Sequence, residues 1–574
     1  MTSRAATLDA GAAARCAFRT VLEHDALNGP EVSREQDDTA RRRLDAAGGH
    51  RLDVATRLLE LLGARAADAR LDEAATVGLL GDTDVDVIVR PRLPRDERAR
   101  RHGSPSLLVA DTDHGARAWR PVDVHNHFVT TEGTKRLLAS SLDAPTPAAA
   151  LVREGRRLRK GGAWQRDLSR LAHHHRMLEG LDLPQAGPAI AGIVDRSAAL
   201  WWFRLDEALD GRGSALEQYD ARFAERVGFL AATEARNADP RLPRPGAPWW
   251  HRECESCPFA TTCHDELARV DDVSLVRFTD ATEQELLRDH GVTTRRGLAS
   301  LDLAEVGRGR ATTDEPCDDS TPSAVAVGRR LKDAGRLVLR ARVEVAGTML
   351  RLVDAHELDA RRAEIEIDID MESYDNATYL WGTLVTAKVA TPGVDEGYRA
   401  FVEWGALSEA SEGRLFVEFF DWLASTVLAA QGAGRSVGLY CFWEHAERGQ
   451  MRRAMESGVP GLPSAAALDA VLGAQLVDMH QVVTSQIQTA GPAGLKVVAG
   501  AAGFRWRDED PSGEASMAWY EDAIQRDGPL AAPARERLFA YNEDDCRATR
   551  ALRDWLEGPA RALPDVEGAR PVEP

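Results

Sequence analysis

Three stretches in the second half of the chain carry acids at spacings that could hold metal ions. In AEIEIDIDMESY, apolar and polar residues alternate. A strand there would put Ile365, Ile367, Ile369 and Met371 on one face and Asp370 with Glu372 on the other. Two carboxylates at i and i+2 on a central strand can share two divalent cations. RLFAYNEDDCRATRALRDWL reads as a helix with Tyr541 and Asp545 at i and i+4 on one face. Between them, Glu447 stands near the start of a helix, HAERGQMRRAME, that follows a strand, RSVGLYCFW. Asp421 in EFFDWL falls mid-helix and is set aside. Asp478 in LVDMH is a candidate supporting acid, and Asp544 lies one step round the helix from Asp545. The plainer alternative is a set of solvated surface acids, in a chain with 91 Asp+Glu.

A second constellation is made of thiols. Cys254-x2-Cys257-x5-Cys263 lies in HRECESCPFATTCHDE. Two cysteines two residues apart can grip one metal, and a third follows closely. The fourth ligand would be Cys16, or His251 or His264 in a zinc site. Reduced, partly buried thiols are the alternative. Cys317, Cys441 and Cys546 are isolated.

A third set sits on a strand pair in the first half, GSPSLLVA and, after a turn, WRPVDVHNHF. His125 and His127 stand at period two and would share one strand face, with Asp123 earlier on the same strand. Lys135 and Lys160 are the lysines of this half.

These residues resemble two nuclease families. An early Cys and a late C-x2-C-x5-C around an α/β region are similar to the iron–sulfur staple of RecB-like nucleases, in the CRISPR-associated and AddB-type members. The resemblance implies a 4Fe–4S cluster held by Cys16, Cys254, Cys257 and Cys263, with Zn²⁺ as the alternative. It also implies a PD-(D/E)xK-like site with Pro-Asp at Pro105–Ser106 and Asp-x-Lys at Asp123–His125. Ser106 and His125 depart from that pattern. Arg170 and His174 stand where the family has Gln and Tyr, and the resemblance sets His50 in GGHRLDV against the family's early His. Three readings stay open. The site is dead and kept as a scaffold or DNA-binding surface. Or it is rewired, with His125 and His127 as metal ligands and Asp84 or Asp86 as the missing acid. Or Lys135 has taken the lysine's role.

The second half resembles the DEDD exonuclease branch of the RNase H-like fold, in its YprB-type domain, which occurs joined to a RecB-like half. The matching positions are Asp370-x-Glu372, Glu447, and Tyr541-x-x-x-Asp545. QLVDMHQVV, GLKVVAGAAGFRWRDEDPSG and SMAWYEDA are also similar. The resemblance implies two Mg²⁺ or Mn²⁺ ions bridged by Asp370, with Tyr541 orienting the attacking water. CFWEHAE lacks the Asn and Asp that most DEDD exonucleases carry at the second motif, so Glu447 is the loosest match.

Thr282 to Leu301 reads as helix, turn, helix, with Gly291 as a C-cap and Thr294 as the next N-cap. It is similar to helix–hairpin–helix elements, whose turn amides contact a phosphate. Arg295 and Arg296 would add charge there; an ordinary helical linker is the alternative.

The chain has 574 residues, 72 Lys+Arg against 91 Asp+Glu, a net charge of -19 and 44% apolar residues. This is a globular composition. The acidic balance argues against a non-specific nucleic-acid coat, which needs clustered positive charge, but leaves a carboxylate-rich nuclease open. No Walker-type motif is present, so any helicase would be a separate partner. No run reaches the roughly 18 apolar residues of a membrane span, and MTSRAATLDAGAAARCAF lacks a signal-peptide core; a cytoplasmic protein is expected.

The expected organisation is mixed α/β (α+β). A RecB-like domain covers 1–265, a helical hairpin 270–310 and a strand-rich connector, LVLRARVEVAGTMLRLV, lies in 323–362. A polar linker, DEPCDDSTP, precedes that connector. The RNase H-like domain covers 363–557 and a flexible tail 558–574. The expected function is a metal-dependent 3′–5′ exonuclease acting on DNA or RNA. The alternative is a non-catalytic nucleic-acid-binding adaptor.

Overall fold

The computed structural model describes residues 6–26, 38–111, 117–159, 163–181, 183, 187–208, 213–277, 279–312, 321–374, 377–473, 475–509, 513–525, 528 and 530–571. Lys160, Cys317 and most of the DEPCDDSTP linker lie outside the described residues. The fold is mixed α/β, in two compact units, Met1–Glu266 and Leu267–Pro574.

The first unit contains β1 (Ala66–Asp68), β2 (Val87–Val89), β3 (Leu107–Asp111), β4 (Ala118–Val124), β5 (Thr130–Ser140), β6 (Leu151–Leu158), β7 (Ile190–Val194) and β8 (Leu200–Arg204). They form one sheet in the order β1-β2-β3-β4-β7-β8-β5-β6. The helices are α1 (Ala17–His24), α2 (Asp38–Leu62), α3 (Glu73–Leu80), α4 (Ala163–Glu179), α5 (Ala215–Ala238) and α6 (Ala260–Arg269). Because side chains alternate along a strand, the sheet has two apolar faces. Val54 and Leu58 of α2 cover Val87, Val89, Val109 and Val122 on one. Leu168 and Leu171 of α4, with Tyr219 and Phe223 of α5, cover Ala191, Ile193 and Phe203 on the other. A Ser214/Glu217 capping box starts α5.

The second unit opens with α7 (Ala281–Asp289), α8 (Arg295–Ser300), α9 (Leu303–Ala311), α10 (Ser323–Arg330) and α11 (Ala334–Ala346). Leu287, Leu298, Val306, Val327, Leu337 and Ala341 form their common core. The expected strand-rich connector is thus corrected. Its larger part is α11, and only β9 (Leu350–Arg351) is extended. The alternation from Leu339 to Val345 imitates a strand, yet Leu337, Val338, Ala341 and Arg342 are buried as a helical stripe. Arg342 disguises that stripe: its guanidinium donates inside the core to the carbonyls of Ala299, Leu301 and Val566. Gly347, at φ +66, closes the helix in the left-handed region.

Next come β10 (Ile365–Tyr374), β11 (Ala377–Ala387), β12 (Gly397–Val402), α12 (Glu409–Gly432), β13 (Val437–Cys441), α13 (Glu444–Met455), α14 (Ala465–Leu472), β14 (Leu476–Asp478), α15 (Met479–Thr484), β15 (Ile487–Gln488), α16 (Leu495–Ala501), α17 (Gly513–Ala523) and α18 (Ala531–Glu557). The sheet order is β12-β11-β10-β13-β14. β10, β11 and β12 form an antiparallel meander, and β13 and β14 add parallel to β10. Ile365, Ile367 and Ile369 pack on Phe416, Phe419 and Leu423 of α12. The opposite, acid-bearing face of β10 meets α18.

The tail expected to be flexible is held along its described part. Pro559–Ala562 forms a short 3-10 helix, and Arg570 donates to the Ser300 carbonyl and to Asp302.

Candidate active site

Four acids point from β10 toward α18: Glu366, Asp368, Asp370 and Glu372. They divide into two pairs. Arg553 of α18 is fully buried; its two terminal nitrogens lie 2.6 and 2.8 Å from the Asp368 oxygens and one lies 3.3 Å from Glu366. Its guanidinium also stacks 3.7 Å over the Tyr440 ring. That pair is structural: buried charge matched by buried charge.

The other pair is not neutralised this way. Ligand oxygens of Asp370, Glu372 and Asp545 all lie within 4.8 Å of one another. Burial first, then the charges of Asp545, Glu372 and Glu447, push the Asp370 carboxyl well above the usual range, against Lys496. Burial and Asp545 lift Glu372 to about 8. Burial raises Asp545 as well, opposed by Lys496, Trp506 and Tyr541. Three acids this close repel one another unless protons or cations intervene, and divalent ions suit such an oxygen donor set.

Each acid is also oriented by a hydrogen bond. Asn542 Nδ2 donates to Asp370 (2.8 Å), and Tyr398 Oη donates to the Asn542 carbonyl oxygen (2.8 Å). Ser516 Oγ of α17 donates to Glu372 (3.2 Å). Trp506 Nε1 donates to Asp545 (2.7 Å). Lys496, in the first turn of α16, donates to both Asp545 oxygens (3.2 and 3.0 Å) and to Tyr541 Oη (2.8 Å). Gly382, opposite Asp370 on β11, admits this arrangement. A Cβ there would fall 1.6 Å from Asn542 Oδ1.

Glu447 lies in the first turn of α13 beside this group. It acts on the Asp370 charge but is not one of the three mutually close carboxylates. Its Oε2 is buried without a hydrogen-bond partner, and burial, with Asp478 and Glu444, raises it to about 8. Asp478 instead caps α15, accepting from His480 N and also from Trp443 N. Asp544 is tied to Arg507. Asp421 is exposed on α12. Lys496, Asn542, Trp506 and Ser516 were not singled out by the sequence. The available signals were lysine scarcity, since Lys496 is one of five in the chain, and the family-like stretches GLKVVAGAAGFRWRDEDPSG and SMAWYEDA that contain Lys496, Trp506 and Ser516.

In the first unit, β3 and β4 pair antiparallel. Ser106, where the RecB-like pattern has an acid, accepts from Val124 N through its hydroxyl and donates its own amide to Asp123. Burial would raise Asp123, but His174, Arg170 and His125 outweigh it and hold it at about 2. His174 titrates at about 4, burial being the main cause, so Arg170 is the cation beside Asp123 at neutral pH, 3.5 Å away. Lys135 cannot replace the missing lysine. It is exposed on β5, separated from β4 by β7 and β8. Asp86 is paired to Arg65 and Asp84 is exposed, so neither joins the histidines. The acid beside His125 and His127 is Asp167. His50, on α2, is not among the residues lining the cavity at His125.

Cys16, Cys254, Cys257 and Cys263 line one pocket with Phe18 and Phe259, and Glu253 accepts from Cys16 N (3.0 Å). Burial and the neighbouring thiols push Cys254 and Cys263 to about 12. His251 lines the same pocket; His264 does not. In the hairpin, Thr294 caps α8 and Gly291 takes φ +78. Arg295 is paired to Asp271 (2.8 Å), which leaves Arg296 as the exposed one.

The RNase H superfamily family model matches residues 453–557, from α13 to the end of α18. The match supports an RNase H-like C-terminal domain, and the acidic group is compatible with a metal-dependent, nuclease-like function. No curated protein and no solved structure matches the chain. Among the described residues, no helix is long and apolar enough to cross a membrane.

Proposed function

We propose that the second unit is a metal-dependent exonuclease that hydrolyses DNA or RNA from the 3′ end. The observation that carries this reading is the meeting of Asp370, Glu372 and Asp545 within 4.8 Å, from a strand and a helix more than 170 residues apart in sequence. Mg²⁺ or Mn²⁺ bound there would supply charge against the scissile phosphate and lower the pKa of an attacking water. The residues would divide the remaining work. Asp370 and Glu372 offer oxygens from one rigid strand, held by Asn542 and Ser516. Asp545 offers one from α18, held by Trp506. Tyr541, protonated because burial and the acids raise its pKa, can position a water beside Asp545. Glu447 contributes a further negative group at the edge.

The first unit supports a subordinate reading. Ser106 and the Asp123–Arg170 pair favour loss of RecB-like cleavage chemistry, leaving a scaffold. The thiol pocket suits a cation-bearing cofactor, because Cys16, Cys254, Cys257 and Cys263 line one pocket and burial raises each thiol, so a bound cation would be needed to hold them as thiolate ligands. Such a group, a 4Fe–4S cluster on this reading, would tie Cys16 to the 254–263 segment and close a long loop.

The test is degradation of labelled single strands in Mn²⁺ by the purified protein. Shortening from the 3′ end is expected. Activity that persists when Asp370→Ala and Asp545→Ala are combined overturns the assignment. Protein purified without air should be brown and contain iron; colourless protein with zinc replaces the cluster.

A further inference from the structure

We propose that His125, His127 and Asp167 form a second metal site, for a zinc-like divalent transition ion, in the first unit. Nε2 of His127 lies 3.0 Å from one Asp167 oxygen and Nε2 of His125 lies 3.5 Å from the other. Two imidazoles thus converge on the two oxygens of one carboxylate, with all three donors within 4.8 Å.

The backbone holds this arrangement. His125 N donates to the Val194 carbonyl (2.9 Å), and the His127 carbonyl accepts from Arg196 N (3.2 Å). Both histidines are therefore anchored to the chain at the end of β7. Asp167 is fixed on α4, one turn before Leu171 in the core.

One donor lacks its hydrogen bond. His125 Nε2 is buried and unpartnered, although Asp167 is adjacent. A buried imidazole nitrogen left unpaired is destabilising, and a metal ion is a partner the geometry leaves room for. Two imidazoles and one carboxylate suit a borderline transition ion better than Mg²⁺, which prefers oxygen. Three protein ligands also leave a coordination position free. His125 and Asp167 line a cavity of about 460 Å³ that Arg166 and Arg170 also border, so an anionic ligand could approach it. Asp123 is not one of the three mutually close donors and is paired with Arg170.

Co²⁺ is the probe, used with the full-length protein carrying Asp370→Asn and Asp545→Asn, in excess Mg²⁺. Dialysis should show one bound Co²⁺ lost in His127→Ala, with binding there at least about 100-fold weaker, since even outer partners of a metal site are worth about 10–100-fold. The visible bands of a nitrogen–oxygen Co²⁺ site should vanish with it. His127 is half-exposed, so its loss should leave the melting transition in place. H127C supplies the converse reading, a new thiolate charge-transfer band. Unchanged Co²⁺ content in His127→Ala, or no such band in H127C, overturns the proposal.

Discussion

Lys496 Nζ lies 3.0 Å from an Asp545 oxygen and 2.8 Å from the Tyr541 hydroxyl, whereas the strand acids Asp370 and Glu372 accept from Asn542 and Ser516. The lysine supplies one positive charge to a group of carboxyls whose pKa values burial and mutual repulsion raise. A divalent ion entering the group would compete with it for Asp545. Replacing Lys496 with Met should therefore tighten Mg²⁺ or Mn²⁺ binding, measured by calorimetry. The metal-free protein should lose about 2 kcal/mol, the scale of a hydrogen bond to a charged group. Weaker ion binding in the variant would show that Lys496 supports the site instead of competing for it.

Removing the acids has a different signature. Asp370→Asn combined with Asp545→Asn should abolish Mn²⁺-dependent shortening of single strands, a loss of at least about 10³-fold if both carry catalysis. The metal-free variant should melt at or above the parent's temperature, because repulsion is relieved. A large fall in melting temperature would make these carboxylates structural.

The pH dependence follows from the raised carboxyls. Glu372, at about 8 in the folded chain against 4.5 ordinarily, binds its proton more tightly folded than unfolded. Its contribution to stability is present below about pH 4.5 and is lost as pH rises toward 8. Asp370 and Glu447 shift in the same direction. The metal-free protein should thus lose melting temperature between pH 5 and pH 8, by about a few degrees, and Mg²⁺ should restore more at pH 8 than at pH 6. Glu372→Gln should flatten the slope; an unaltered slope would remove Glu372 from the titrating set.

Gly382→Ala tests the closeness of α18 to β11. The added Cβ would meet Asn542 Oδ1 at 1.6 Å, so Asn542 must leave Asp370. Activity should fall while the fold persists, with about 1–3 kcal/mol lost to overpacking. Denaturant unfolding and an exonuclease assay together read both effects.

The strand acids were legible because alternation fixes the faces of β10, and Tyr541 with Asp545 because four residues make one helical turn. Lys496, Trp506 and Ser516 reach the site from separate short segments, and no periodicity links such segments to β10. Arg342 shows the opposite failure: a charge seated on core carbonyls gave α11 the look of a strand. Asp167 was invisible beside His125 and His127 because α4 brings it in from forty residues away, and no spacing in the sequence sets it apart from Asp84 or Asp86.

Arg553 sits eight residues beyond Asp545 on α18, about 12 Å along the axis at 1.5 Å per residue. Seated on Asp368 and Glu366, it works as a ratchet tooth: α18 cannot slide by a turn along β10 without stranding an ion in oil. The helix thereby measures out where Tyr541, Asn542 and Asp545 come to rest, so damage at a spot remote from any substrate would still blur the alignment of the cutting edge.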